Sequence, residues 1–315
     1  MRPQYFLLCS LFVCAISHAQ NFPTKPIRIA TGSIGSNGDI LSRLLANTLS
    51  VPIGQPVVVE NRSSGIVLGE TVAKAPSDGH MILVTGSSFW LAPFIEENVP
   101  WDPIRDFSPV NLMSTSPNLI VVHPSVPAKN VKELIAFAKS KPGQLNYGSG
   151  STGSTPHLAA ELFNAMASVD VVRVNYKGIG PAMNDLIAGQ VHVMFPNAGG
   201  ATAHLASGRL RALAVTSAKP SALFPTLPTV AASGLPGYEA EVLNGMFVPA
   251  KTPAAIIDRL NQETAKALLR TDVKDKLLSV GVEVIGEGPE QLATAMKREM
   301  AFWGNLIREL KIKNQ

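Results

Sequence analysis

Cysteine is scarce in this chain. Only Cys9 and Cys14 occur among 315 residues, and both lie in the first 20. If that segment is removed, the remainder has no disulfide, no thiol nucleophile and no thiolate metal site. Concentrated charge is also missing. The 27 Lys and Arg and the 23 Asp and Glu are interspersed, with no basic block or stripe, which argues against a nucleic-acid partner. The six histidines are scattered without metal-ligand spacing, so no metal is expected. No G-x-S-x-G nucleophile elbow occurs. Beyond residue 20 no apolar run is long enough to span a bilayer.

The first residues have a different character. Arg2 supplies a positive charge, 5–16 is an almost unbroken apolar run, and Ser17-His18-Ala19 places small residues at a cleavage position. The expectation is a signal peptide over 1–19, cut before Gln20. A lipoprotein reading through Cys14 is disfavoured, because Val13 is too bulky for lipid attachment. Removing 19 residues leaves 296, enough for a core without disulfides and for two domains of roughly 150 residues each. That chain has 26 basic and 23 acidic residues, a small positive balance.

Short β-branched runs alternate with helical spacing through most of the chain. Strands are predicted over 27–31, 57–60, 81–85, 118–123, 145–148, 171–175, 191–195 and 211–216. Val131, Leu134, Ile135 and Ala138 fall on one helical face. The alternation predicts an α/β fold with parallel sheets and helices on both faces. The C-terminal part is helical over 253–270, 273–280 and 289 to about 310. Leu292, Met296, Met300, Trp303, Ile307 and Leu310 form an apolar stripe there, read as core packing. Crossings between domains are placed over 116–124 and 243–249. The division is then a signal peptide at 1–19, a discontinuous first domain at 20–120 plus 246–315, and a second at 121–245.

The richest segment is LNYGSGSTGSTPH at 145–157: a strand, a loop of Gly and small hydroxyl residues, and a helix start. The first turn of a helix has unpaired N–H groups and a partial positive charge, and glycine lets backbone approach a ligand, so such a turn can seat an anion. A second turn of this kind, GSIGSNGD at 32–39, follows the first strand. GSGSTG at 148–153 also matches G-x-G-x-x-G. The dinucleotide reading lacks its acid, because the next strand ends Val174-Asn175-Tyr176-Lys177. Ser154 reads as the N-cap of the helix starting Thr155-Pro156, and equally as a ligand contact. His157 reads as a structural, hydrogen-bonded histidine. The competing reading, a general base for a serine, has no acid to orient it. Asp39 reads as the cap of the helix carrying Leu41, Leu44, Leu45 and Leu49, with a ligand ammonium as the alternative partner.

Ser36 and Asn37 are the stronger ligand candidates in the first loop. Two further loops, Gly86-Ser87-Ser88 and Pro196-Asn197-Ala198-Gly199-Gly200, also end predicted strands, where ligands bind in open parallel sheets. None of the four loops contains Lys or Arg. An anion held there rests on N–H groups, hydroxyls, amides and helix dipoles, which suits reversible capture of a carboxylate. The candidate binding residues are Ile34, Gly35, Ser36, Asn37, Gly38, Ser87, Ser88, Ser149, Gly150, Gly153, Ser154, Asn197 and Ala198. No catalytic residue, cofactor or metal ligand is assigned.

The chain resembles the extracytoplasmic solute receptors of tripartite tricarboxylate transporters, the Bug family. The likeness runs through GQPVVVENR at 54–62, PSDGH at 76–80, WDPIRDFSPV at 101–110, KPGQLNYGSGSTGSTPHLAAELF at 141–163, YKG at 176–178, LRALAVTSAK at 210–219 and LPTVAASGLPGYEA at 227–240. It covers nearly the whole chain after residue 19. The resemblance implies a two-domain periplasmic binding protein of type II, a Venus-flytrap with a mostly parallel sheet in each domain. It also implies a periplasmic location, a small carboxylate ligand, membrane permease subunits as partners and a monomer. The family's two gripping loops carry over to Ile34–Gly38 and Ser149–Ser154. Three places depart from the pattern. The first loop lacks the family's Pro-Pro-Gly-Gly, Phe195-Pro196-Asn197 stands for Phe-Asp-Asn, and Leu243-Asn244 replaces an aromatic. Two other functions fit the residues alone: a secreted α/β hydrolase using Ser and His157, or a solute sensor with a membrane partner.

Overall fold

The computed structural model describes residues 22–62, 64–150 and 152–313; the export segment lies outside them. The chain begins with β1 (Ile27–Thr31), α1 (Asn37–Ile53), β2 (Val57–Asn61), α2 (Gly65–Ala73), β3 (Met81–Gly86), α3 (Ser87–Ile95) and β4 (Phe107–Pro117). It continues through β5 (Leu119–Val122), α4 (Val131–Ser140), β6 (Asn146–Ser149), α5 (Thr155–Ala167), β7 (Val172–Asn175), α6 (Ile179–Ile187), β8 (Val193–Met194), α7 (Ala198–Ala206) and β9 (Arg211–Val215). β10 (Glu241–Pro249), α8 (Ala254–Leu268), α9 (Thr271–Ser279), β11 (Glu283–Glu287) and α10 (Pro289–Glu309) follow.

Two helix-flanked sheets result, with strand orders β11-β4-β10-β3-β1-β2 and β7-β6-β8-β5-β9. The α/β architecture matches the expectation: most strands of each sheet run the same way, with β10 and β11 reversed in the first and β5 in the second. β2, β1 and β3 are parallel, as are β7, β6 and β8; the other pairings are antiparallel. The reason is the path between sheets. β4 leaves the first sheet, and the returning chain re-enters beside it as β10, so the two must run in opposite directions. The register pairs Glu241 with Pro117 and Pro249 with Phe107.

β4 and β11 fall outside the strands the sequence predicts, and β10 includes the stretch at 243–249 where it places a crossing. In β4 residues 110–114 are all buried, and in β10 residues 243–249 are. Strands covered on both faces lose the alternation that marks a half-buried strand. β11 is broken by Gly286 at φ +73° and a register shift.

One face of the first sheet packs α1, α8 and α9 through Leu41, Leu45, Ile82, Met246, Leu260 and Leu277. Its other face meets Trp90, Trp303 and Ile307 in a core continuous with that of the second sheet. The stripe on α10 is core as read, except that Leu310 is exposed. At the crossings, Asn118 joins β4 to β5 and Ala240 precedes β10. Thr216 ties them together: its Oγ1 accepts from the Asn118 N–H at 2.8 Å and donates to the Ala240 carbonyl at 2.6 Å.

Candidate functional site

A cleft of about 690 Å³ opens between the two sheets. Its first wall grows from the end of β1. The Ser36 N–H donates to the Ser33 carbonyl at 3.1 Å, and Gly35 supplies the left-handed φ of +81° that closes this turn. Ser36 is the N-cap of α1, with its hydroxyl accepting from the Asp39 N–H at 3.2 Å. The cap is therefore Ser36 and not Asp39.

Asp39 sits in the first turn and reaches back. It accepts from the Gly35 N–H at 2.9 Å and from Asn61 Nδ2 at 2.8 Å, and pairs with Arg43 at 3.0 Å. Burial pushes its carboxyl pKa up, but these bonds outweigh burial and hold it below the usual range. Buried and engaged by these three groups, Asp39 stiffens the loop. Gly38 is forced by space, since a Cβ there would lie 2.8 Å from Thr31 Oγ1. The N–H groups of Asn37 and Gly38, in the first turn, have no intrahelical partner.

The opposite wall is the loop between β6 and α5. Gly153 has φ +73° and donates its N–H to His157 Nδ1 at 2.9 Å. Its Cα approaches α3 so closely that a Cβ would lie 2.3 Å from Ile95 Cδ1. His157 is buried; burial, reinforced by the charge of Arg173, lowers its pKa to about 4. It is neutral and holds the loop, as the structural reading expected. Ser154 occupies the N-cap position of α5 but makes no capping bond. Its Oγ is buried and has no partner among the described residues.

The loop is held from behind by a cation that the sequence reading missed. Arg173 on β7 donates from Nε to Ser149 Oγ at 2.8 Å. It also bonds Thr152 Oγ1 at 3.2 Å, the Gly150 carbonyl at 2.9 Å and Asn175 Oδ1 at 2.9 Å. The available signal was an arginine set inside a β-branched run.

Gly35, Ser36, Asn37, Gly38, Ser88, Gly153, Ser154 and Asn197 line the cleft together. The other candidates lie beside it. Ile34 projects to solvent with 78% exposure, and Ala198 is buried at the start of α7. Ser149 and Gly150 are engaged by Arg173. Ser87 turns inward. Its Oγ accepts from the Leu243 N–H at 3.0 Å and bonds the Glu299 carboxyl. Glu299, 7% exposed on α10, also accepts from Trp90 Nε1 at 2.8 Å. Burial pushes its pKa up to about 7, against the smaller pull of Ser87, Trp90 and Arg298.

The reading also missed the apolar floor and a cation. Phe89 stacks on Trp101 at 4.2 Å, and Trp101 Nε1 donates to the Ile66 carbonyl at 3.1 Å. Arg62, at the end of β2, is on the lining as well. The cleft therefore carries a guanidinium, although the four loops themselves have none. Among the described residues no cluster of three or more His, Cys, Asp or Glu could hold a metal. No described helix is long and apolar enough to cross a membrane.

Known proteins resemble this chain in sequence and fold. A protein in the tcbD-tcbE intergenic region of Pseudomonas sp. (strain P51) is 38% identical, over 92% of this chain and 88% of that one. BugT of Bordetella pertussis is 32% identical, over 96% of this chain and 94% of its own length. The solved structure of Rpa4515 from R. palustris with adipate superposes with a TM-score of 0.81 at 33% identity, covering 93% of this chain and 100% of that one. The α/β fold is thus that of a two-domain periplasmic binding protein, a solute receptor and not an enzyme. The family model for the tripartite tricarboxylate transporter family receptor matches residues 41–312, and the chain belongs to that family.

Proposed function

We propose that this receptor captures a small carboxylate between the N-termini of α1 and α5 and delivers it to permease subunits in the membrane. The observation that carries the reading is the Ser154 hydroxyl. It is buried, stands at the start of a helix, lacks a partner among the described residues and lies on a cleft lined across from it by the first turn of α1. Two helix starts then offer N–H donors and positive dipole ends to one anion. The adipate bound by the R. palustris relative is a carboxylate of this kind.

The binding residues in this reading are Gly35, Ser36, Asn37, Gly38, Ser88, Gly153, Ser154 and Asn197. Ser149 and Gly150 shape the loop behind them. The two lobes divide where the sheets do, near Asn118 and Ala240, and close on the ligand. Export removes 1–19, and the receptor works as a periplasmic monomer.

A carboxylate bridging both lobes favours the closed form and stabilises the fold. At a hundredfold excess over Kd the gain is about 2.7 kcal/mol, a melting shift of roughly 4 °C for a chain of this size. The test is thermal shift with mono- and dicarboxylates. Ser154→Leu should keep the fold and lose the shift. Ser36→Leu should lose the shift and also about 1 kcal/mol of capping. An undiminished shift in both variants refutes the site.

A further inference from the structure

We infer that Glu299, behind α3, couples ligand capture to the uptake of a proton; this rests on the carboxylate seat proposed above. α3 has two faces of use here. Ser88, Phe89, Ala92 and Ile95 stand on the cleft lining. Ser87 and Trp90 turn the other way, where Trp90 Nε1 donates to the Glu299 carboxyl at 2.8 Å and the Ser87 hydroxyl bonds it. The same hydroxyl accepts from the Leu243 N–H at 3.0 Å, which ties α3 to β10 where the chain returns to the first sheet. The seat lies beside this helix start. β3, which feeds α3, pairs with β1, which feeds the loop at 32–38. A Cβ on Gly38 would lie 3.3 Å from the Val84 carbonyl of β3.

Glu299 is buried against neutral donors. α3, β3 and β4 carry no charged residue. Glu241, at the start of β10, is bonded to Thr115 and to the Ala218 N–H. Arg298, its neighbour on α10, turns to the surface and pairs with Glu239 at 2.8 Å. The charges of Arg298 and Glu239 act on Glu299 in opposite directions. Burial therefore dominates and pushes its pKa up to about 7. An anion in the seat adds a second negative charge across the same helix start. At roughly 12 Å and an effective dielectric of about 20, that repulsion changes an equilibrium constant about tenfold. Mobile ions reduce the effect to several-fold. Protonation of Glu299 removes it. The proton comes from solvent and settles on the carboxyl oxygen facing Ser87, whose hydroxyl can accept as well as donate, so that bond reverses and is not lost. The protonated receptor binds the anion more tightly, and the bound anion in turn tightens the hold on the proton.

The test is calorimetric titration of wild type and Glu299→Gln with adipate, or with hexanoate if adipate does not bind. Both acids stay ionised over the range used, pH 6.5 to 8.5. Each titration is run in two buffers of different ionisation enthalpy, which counts the protons taken up. Wild type should take up roughly 0.2–0.5 proton per ligand near pH 7, and its Kd should rise about three- to sixfold from pH 6.5 to pH 8.5. Glu299→Gln keeps both hydrogen bonds and cannot titrate. It should take up almost no proton and hold its Kd within about twofold. Arg62 and Glu96, the charged side chains on the lining, are the same in both proteins, and no histidine stands there among the described residues. A glutamate that served packing alone would leave both readouts flat in wild type. That result overturns the inference and leaves the carboxylate seat standing, as does a Glu299→Gln protein with the wild-type pH profile. If the variant does not fold, proton uptake by wild type decides. If neither acid binds wild type, the carboxylate reading falls and the inference falls with it.

Discussion

Replacing Glu299 by Gln should make the protein progressively more stable than wild type as pH rises from 5 to 9. Glu299 is buried on α10 and accepts from Trp90 Nε1 at 2.8 Å; it also bonds Ser87, so it supports the α3 start from behind. Its pKa is pushed from an ordinary 4.5 to about 7, chiefly by burial. The folded state therefore holds this proton more tightly than the unfolded chain. The stabilisation is complete below the unfolded value and is lost as pH rises through the folded value. At 1.36 kcal/mol per pKa unit the swing is roughly 3 kcal/mol, or about 5 °C in Tm for a chain of this size. Gln fills the same volume, still accepts from Trp90 and Ser87, and carries no charge. At pH 5 variant and wild type should melt close together, and by pH 9 the variant should melt higher by that amount. Other groups act on both proteins alike. Neutral His157 destabilises the fold as pH falls from about 6.5 towards 4, the opposite sign, and it cancels in the difference. The assay is calorimetry of both proteins at pH 5, 7 and 9. A Tm difference that does not change with pH refutes the reasoning, because it means that Glu299 is ionised throughout.

Two further outcomes are expected. Arg173→Met removes the bonds from the guanidinium to Ser149, Thr152, Gly150 and Asn175; it should cost about 1–3 kcal/mol in stability and weaken carboxylate binding on the order of tenfold, read by melting and calorimetry. Protein recovered from the periplasm should begin at Gln20 by mass spectrometry, and a soluble chain retaining Met1 contradicts the export reading.

The parts of the site that were legible in the sequence are those fixed by local chemistry. A run of Gly and Ser before an apolar helix marks an anion-capable turn wherever it occurs, so the loops at 32–38 and 148–154 could be read directly. What was not legible depends on phase and register. Ser87 and Ser88 are adjacent and chemically alike, yet a helix turns by about 100° per residue, so Ser88 faces the cleft while Ser87 faces Glu299. Nothing local sets that phase. Asp39 looked like a cap because acids favour helix starts. Asn61, brought alongside by the pairing of β1 with β2, and Arg43 draw its carboxylate away from that role. The same pairing carries Arg62 to the cleft, although 23 residues separate it from Asp39. β4 and β10 escaped for a related reason: burial on both faces erases the alternation, and their opposed directions follow from a chain that leaves one sheet and returns beside its own exit.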